Sequence, residues 1–252
     1  FTIDGAPLAP VTLVNGLATY STASLAVGAH TVSATYGGDA SFTTSSGALG
    51  GGQTVNQAGS TTTVTSSANP SVFGQSVTFT ATVTFGAGTP TGVVTFTLDG
   101  SPVTRTLDGG MATYITTSLA GGAHVITATY AGDAGFIGST SSVLTQTVNT
   151  APTFVSTPIT VATVGLSYVY DITAAVDVNA GDLMTITAPT LPTWLTLSPT
   201  GNGAARLQGP PTSANLGANP VMLQVQDSAG LTPTQSFTIT VSVRVFLPIV
   251  IR

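Results

Sequence analysis

The chain contains an internal repeat, and this repeat most constrains what it can fold into. Residues 16–20 read GLATY and residues 110–114 read GMATY, while GAH occurs at both 28–30 and 122–124. Residues 36–42, YGGDASF, recur at 130–136 as YAGDAGF. Self-similarity at a fixed offset indicates successive copies of one structural unit. The sequence therefore predicts tandem domains of one fold.

The first copy is shorter than the second at its front. Residues 1–5 read FTIDG and correspond to residues 96–100, FTLDG, so the first copy has no counterpart of residues 58–95. We expect residues 1–56 to be a partial domain without its first strands. Its open end would begin at Phe1 and Ile3.

Composition excludes several classes of function. Charged residues make up 5% of the chain and the net charge is −5, whereas an ordinary domain has about 25% charged residues. No basic face is available for phosphates, so we expect no nucleic-acid partner. Cysteine is absent, which excludes disulfides and thiolate metal sites. The apolar run at 245–251 is far shorter than the roughly 20 residues of a membrane-spanning helix, so no membrane span is expected.

Alternating apolar and polar residues predict strands throughout the chain. In the second copy, one such run contains Val77, Phe79, Ala81 and Val83. Asp-Gly and Asn-Gly pairs, which supply the positive φ angles of tight hairpins, separate the runs. The pattern is typical of an all-β fold of tandem Greek-key β-sandwiches, the first incomplete.

The repeat motifs resemble those of a known family. Residues 92–100 (GVVTFTLDG), 118–124 (SLAGGAH) and 130–136 (YAGDAGF) are similar to bacterial immunoglobulin-like repeats of large surface proteins. The resemblance covers residues 1–150. It implies an extracellular or cell-surface spacer or adhesive module without catalytic residues.

The pattern changes at residue 151. Residues 151–154 (APTF), 177–182 (DVNAGD) and 191–195 (LPTWL) resemble a cadherin-like immunoglobulin-type domain over residues 151–243. We therefore expect four parts: a partial immunoglobulin-like domain at 1–56, a complete one at 57–150, a cadherin-like β-sandwich at 151–243 and a C-terminal strand at 244–252.

The C-terminal strand has an unusually long alternation. Every odd residue from Phe237 to Ile251 is apolar, whereas a strand typically has 5–6 residues. The surplus suggests donation of this tail to the open first domain of another copy, which gives a head-to-tail homopolymer. The candidate donor residues are Val245, Phe246, Leu247, Ile249, Val250 and Ile251. Two alternatives stay open: the missing front half reflects an incomplete sequence, or the tail packs on its own third domain or serves as a sorting signal.

Acidic and amide residues of the third domain suggest a calcium site. The candidate ligands are Asp177, Asn179, Asp182 and Asp227. Calcium prefers six to eight oxygen ligands, and the chain contains no Glu. The alternative is an Asx-rich turn whose side chains bond backbone groups. Calcium is the one cofactor considered, and no other is expected.

No catalytic signature occurs in the sequence, and we expect no enzyme activity. His30 and His124 occupy one repeat position, as do Asp39 and Asp133, and repetition favours a folding role. The sequence favours an extracellular structural protein that assembles head-to-tail. The alternative is the stalk or adhesive module of a larger adhesin with a protein or glycan ligand.

Overall fold

The computed structural model describes residues 1–86, 88–174, 179 and 181–244. The chain forms two compact units. The first unit contains Phe1–Ser67, Thr78–Ile115 and Val125–Thr145. The second contains Ala68–Val77, Thr116–His124 and the chain from Gln146 onward. The second sequence copy contributes to both units.

The first copy contains six short strands. Its strands are β1 (Thr2–Ile3), β2 (Ala6–Pro7), β3 (Gly28–His30), β4 (Val32–Tyr36), β5 (Ser45–Ala48) and β6 (Gln53–Val55). They form a sheet of order β2-β1-β4-β5 and a separate pair, β3-β6. The β1–β2 hairpin turns at Asp4 (φ 53°) and Gly5 (φ 79°), as the Asp-Gly pair predicts.

The described residues of the second copy form nine strands. They are β7 (Ser60–Ser66), β8 (Ser71–Val72), β9 (Val77–Phe85), β10 (Val93–Leu98), β11 (Ser101–Thr106), β12 (Met111–Thr116), β13 (Gly122–Gly132), β14 (Ile137–Thr140) and β15 (Leu144–Asn149). One sheet has the order β11-β10-β13-β15-β8, with β14 paired to β13, and the other has the order β12-β9-β7. In β9 the predicted alternation is present, because Val77, Phe79, Ala81 and Val83 are all buried.

The third segment lies wholly in the second unit. Its strands are β16 (Val161–Thr163), β17 (Tyr168–Thr173), β18 (Thr185–Thr190), β19 (Thr196–Gly201), β20 (Ala204–Gly209), β21 (Gly217–Gln226) and β22 (Thr234–Ser242). Sheets of order β16-β22-β21-β18 and β17-β20-β19 form it. A 3-10 turn spans Ser213–Asn215. Trp194 packs half-buried against the core, and its Nε1 donates to Asn219 Oδ1 at 3.0 Å.

The all-β prediction is confirmed. The strands carry one apolar face. The chain turns at the predicted Asx-Gly pairs through residues with a left-handed backbone conformation, including Asn15 (φ 53°) and Asp99 (φ 47°). Across the ranges described, no helix has the length and apolar character needed to cross a membrane.

Candidate functional site

Two regions hold the residues that the sequence singled out: the acidic cluster of the second unit and the open face of the first copy. In the acidic cluster, Asp177 lies outside the described residues. The other three, Asn179, Asp182 and Asp227, come together near Asn149. A shallow cleft of about 310 Å³ beside them has a lining that includes Pro70, Thr147, Asn149, Asn179, Asp182 and Ser228.

Asp227 is the buried centre of this cluster. Only 5% of its surface is exposed. The Asn149 amide donates to Asp227 Oδ2 at 2.8 Å, and the Leu231 N–H donates to Oδ1 at 2.7 Å. Burial of a carboxylate is costly without such donors, so these bonds are what allow Asp227 to be buried.

Asn179 connects the cluster to the segment where β15 ends. Its Nδ2 donates to Val148 O at 3.0 Å, and its Oδ1 accepts from the Thr150 N–H at 3.2 Å. Asp182 Oδ1 accepts from the Ser228 N–H at 3.2 Å. These contacts bind loops of the third segment to the end of β15.

The arrangement favours a hydrogen-bonded joint. Among the described residues, no group of three or more His, Cys, Asp or Glu side chains is placed to hold a metal ion. The calcium prediction stays a prediction, since Asp177 was one of its four ligands. Asn149 was missed by sequence reasoning. The signal for it was weak: a polar residue directly after Val148 at the end of an alternating strand.

The open face of the first copy is the second region. No side chain from residue 1 to residue 57 is buried. Phe1 and Ile3 are half-buried, and the ring of Phe1 lies 6.1 Å from that of Tyr20. Two clefts of about 530 and 740 Å³ flank Phe1. The exposed apolar residues of this copy include Val11, Leu13, Val14, Leu17, Tyr20, Val27, Phe42 and Leu49.

The repeated polar residues make local hydrogen bonds in both copies. Nε2 of His30 bonds Ala26 O at 2.8 Å, and Nε2 of His124 bonds Ala120 O at 2.9 Å. His30 also bonds Asp4 through Nδ1 at 2.6 Å. Because the carboxylate favours the charged ring, Asp4 raises the pKa of His30.

Asp39 and Asp133 organise equivalent turns. Asp39 Oδ1 accepts from the backbone N–H groups of Ser41 and Phe42, at 2.7 and 2.9 Å. In the second copy, Asp133 Oδ1 accepts from Gly135 and Phe136, at 2.8 and 3.0 Å. These contacts agree with the folding role predicted from repetition.

Asp133 has an additional pair of donors. The Thr91 backbone N–H and hydroxyl both donate to its Oδ2, at 2.7 and 2.8 Å. These contacts, first among them the Thr91 N–H, lower the pKa of Asp133 to about 2. Thr91 lies in the stretch without a first-copy counterpart. In the first copy, the Tyr36 hydroxyl donates to Asp39 Oδ2 at 2.7 Å instead. This bond is the main cause of the lowered pKa of Asp39.

The predicted donor residues lie outside the described part of the chain. These are Val245, Phe246, Leu247, Ile249, Val250 and Ile251. The described strand β22 ends at Ser242, and Val243 is 53% exposed.

Comparison with known proteins finds matches to two families, one after the other along the chain. Residues 62–149 match the family "Bacterial Ig-like domain (group 3)", and residues 151–242 match the family "Putative Ig domain". No curated protein matches the sequence.

Several solved structures align with the chain at low scores. A titin fragment of domains I67–I69 aligns at 14% identity and a TM-score of 0.47, over 71% of this chain and 66% of that fragment. This chain thus spans slightly under two thirds of the titin fragment. A bacterial ice-binding adhesin aligns at 17% identity and a TM-score of 0.41, over 85% of this chain and 74% of the other.

A calcium-stabilised adhesin of an Antarctic bacterium aligns at 21% identity and a TM-score of 0.37, over 86% of this chain and 57% of that one. At such scores the alignments indicate no function. The two adjoining family matches agree with the strand topology and with the repeat motifs. The chain thus contains a segment that matches the group 3 bacterial Ig-like domain, followed in tandem by a segment that matches a second immunoglobulin-like family.

Proposed function

We propose that the chain is a structural segment of an extracellular bacterial surface protein, which spaces or connects its neighbours and catalyses no reaction. One observation carries this proposal: equivalent polar residues of the two copies make equivalent contacts, each within its own copy. Asp4 and Asp99 each accept a backbone N–H bond, from Thr31 at 2.8 Å and Val125 at 2.9 Å. Side chains used in this way position the backbone.

The joint at Asn149 supports a load-bearing or spacing role. Asn149 and Asp227 are both buried, and Asn179 bonds the backbone on both sides of Asn149. A flexible tether requires none of these contacts, because a solvated linker satisfies its backbone with water. The contacts favour a stiff connection between the two immunoglobulin-like domains.

The finer form of the proposal is head-to-tail assembly. The exposed apolar face of the first copy is a liability unless something covers it. In the tail at 244–252, every residue from Val245 to Ile251 is apolar. We propose that the tail of one copy covers the first copy of the next. A segment of the same polypeptide that precedes Phe1 is the competing cover.

Mass in solution tests the assembly. The full chain and a chain that ends at Val243 are compared by sedimentation over a range of concentrations. We expect concentration-dependent oligomers of the full chain, filaments of regular repeat in electron micrographs, and monomers of the shortened chain. Monomers in both cases would leave the chain a simple spacer.

Protease digestion of intact source cells tests the location. An extracellular segment is cleaved before the cells lyse, whereas a cytoplasmic control protein survives. Protection of the segment in intact cells, followed by cleavage after lysis, would contradict the surface location.

The alternative is an adhesive module with a protein or glycan ligand. The exposed apolar side chains of the first copy are the surface that would favour it. A glycan and protein binding screen with the full chain and the shortened chain separates the two functions. Binding that does not depend on the tail would favour adhesion.

A further inference from the structure

We infer that the side-chain amide of Asn15 is a site of spontaneous chemical modification, in which the backbone nitrogen of Gly16 displaces ammonia and water then opens the resulting ring. The products are aspartate and isoaspartate at residue 15. The site lies in a turn of the first copy and is independent of the proposed assembly.

Asn-Gly pairs occur twice in the chain, at residues 15–16 and 202–203. Glycine has no Cβ, so it leaves its backbone nitrogen open to the side-chain carbonyl carbon of the asparagine before it. The same two residues are a preferred pair for a tight hairpin turn. The sequence does not distinguish the two pairs, but their surroundings in the structure differ.

The reacting groups of the first pair are accessible. The Asn15 side chain is exposed, and within the described residues its amide makes no hydrogen bond. In the same part of the chain, the Gly16 N–H donates to no backbone acceptor. The reaction therefore has no hydrogen bond of either reacting group to break.

One antiparallel bridge closes the turn around this pair. The Val14 N–H donates to Leu17 O at 2.9 Å, and the Leu17 N–H donates to Val14 O at 3.0 Å. Residues 16–20 are described throughout and form no strand beyond this bridge, whereas the equivalent residues 110–114 lead into β12. Ring closure rotates the peptide that follows residue 15, so the turn must open first. A turn held by one bridge between exposed residues opens at low cost.

The tip of this turn also faces solvent in a complete domain. The equivalent pair of the second copy is Gly109–Gly110, in a hairpin of the same kind. A Cβ at Gly109, the counterpart of Asn15, would meet nothing within 4 Å. A Cβ at Gly110 would lie 3.2 Å from Val83 O, in β9. A strand that covered the first copy as β9 covers the second would therefore lie beside the glycine and leave Asn15 accessible.

The second Asn-Gly pair is protected by hydrogen bonds. Asn202 Oδ1 accepts from the Met184 N–H at 2.6 Å, and Asn202 Nδ2 donates to Asp182 O at 2.8 Å. The Gly203 N–H, which would be the attacking group, donates to Met184 O at 3.0 Å. Gly203 is also buried. Because ring closure would break these bonds, modification at Asn202 is much slower.

The reaction balances with water as its co-reactant. A base removes the amide proton of Gly16, and the nitrogen bonds to Cγ of Asn15. The bond from Cγ to the side-chain nitrogen breaks, and ammonia leaves with a proton from the solvent. Water then cleaves the succinimide ring. Cleavage between the Gly16 nitrogen and Cγ gives aspartate, and cleavage between that nitrogen and the main-chain carbonyl carbon gives isoaspartate.

The two products differ in their effect on the turn. Aspartate preserves it, since the Asp4–Gly5 pair turns with φ of 53° and 79° and the Asn15–Gly16 pair with φ of 53° and 78°. Isoaspartate adds an atom to the main chain, so the bridge that closes the turn cannot keep both of its bonds. Either product adds a carboxylate to residues 5–38, a stretch without Asp, Glu, Lys or Arg.

Peptide mass spectrometry of the aged chain tests the site. The folded full chain is kept at neutral and at mildly alkaline pH, sampled over time, and digested at acidic pH so that handling adds no modification. We expect at least about tenfold more modification at Asn15 than at Asn202, because local opening is easier at the first pair. The rate should rise with pH, since the attacking nitrogen must lose its proton, and isoaspartate should be among the products.

The same chain in concentrated urea is the matched control. Both pairs lose their surroundings there, so residues 15 and 202 should be modified at similar rates. The variant Asn15→Gly reproduces the Gly109–Gly110 turn of the second copy and has no amide at this position. In isoelectric focusing, it should lack most of the acidic species that the unsubstituted chain accumulates.

Equal rates at Asn15 and Asn202 in the folded chain, or a faster rate at Asn202, would overturn the assigned site. An Asn15 amide that survives in the folded chain but is lost in urea would overturn it as well, because the hairpin would then protect the amide. Acidic species that accumulate unchanged in Asn15→Gly would place the modification elsewhere in the chain.

Discussion

The two copies of the repeat bury equivalent residues to very different extents. Phe136 is 7% exposed and its counterpart Phe42 is 68% exposed, while Leu107 is 7% exposed and Leu13 is 43% exposed. The ring of Phe136 meets that of Phe85 at 5.7 Å, and Phe85 belongs to the stretch without a first-copy counterpart. Nearly identical sequences thus form a core only where a second sheet covers them.

The largest expected contrast is between alanine substitutions at Phe136 and Phe42. Phe136→Ala removes a buried ring and should lower the free energy of unfolding by about 3–5 kcal/mol. At a concentration where the chain is monomeric, Phe42→Ala changes an exposed side chain and should alter the free energy of unfolding by no more than about 0.5 kcal/mol. Urea denaturation of both variants measures the difference. A comparable loss at Phe42 would mean that the first copy is closed in solution, as an assembled chain would be.

The residue that ends each copy offers a second contrast. Asn149 holds the place in its copy that Asn56 holds in the first, since both end the motif QTVN. Asn149→Ala removes the amide that bonds buried Asp227, and should cost about 1.5–3 kcal/mol, as expected for a hydrogen bond to a charged group. Asn56→Ala, at an exposed position, should change the free energy of unfolding by no more than about 0.5 kcal/mol. Chemical denaturation checks both, and equal losses would argue against a special role for the joint.

The pH dependence of the turns is a third contrast. The lowered pKa of Asp133, about 2, means that this carboxylate stabilises the fold fully above its ordinary value of 3.8. That contribution is lost as the pH falls through about 2. Asp133→Asn should make the free energy of unfolding less dependent on pH between about 2 and 3.8. Carboxyl NMR titration checks the value, and a pKa near 3.8 would contradict the bonds from Thr91.

The smallest expected effect is that of calcium removal. Both carboxylate oxygens of Asp227 already accept hydrogen bonds, so we expect no change in Tm between chelator and millimolar calcium. Calcium at 100 times its Kd would add about 2.7 kcal/mol, which a thermal melt detects easily. A clear rise in Tm with calcium would restore the predicted site and bring Asp177 back as a ligand.

The sequence predicted the fold well because strand alternation and Asx-Gly turns are local signals. Val77 to Val83 alternate in sequence and are buried as a row, and Asp4 and Asp99 turn where predicted. The 16–20 segment shows the limit, because pairing with another strand decides whether it extends. Asn149 shows a second limit of prediction from sequence. Its partner Asp227 is distant in sequence, and residue spacing cannot reveal such a contact.

Each immunoglobulin-like domain has one pair of parallel strands, and this pair has a mechanical consequence. In one, β8 runs parallel to β15, with Ser71 opposite Val148; in the other, β16 runs parallel to β22, with Ala162 opposite Val241. A pull on the two ends of such a domain drags these strands past each other, so the hydrogen bonds between them share the load and rupture together. Resistance to tension of this kind is governed by the unfolding rate.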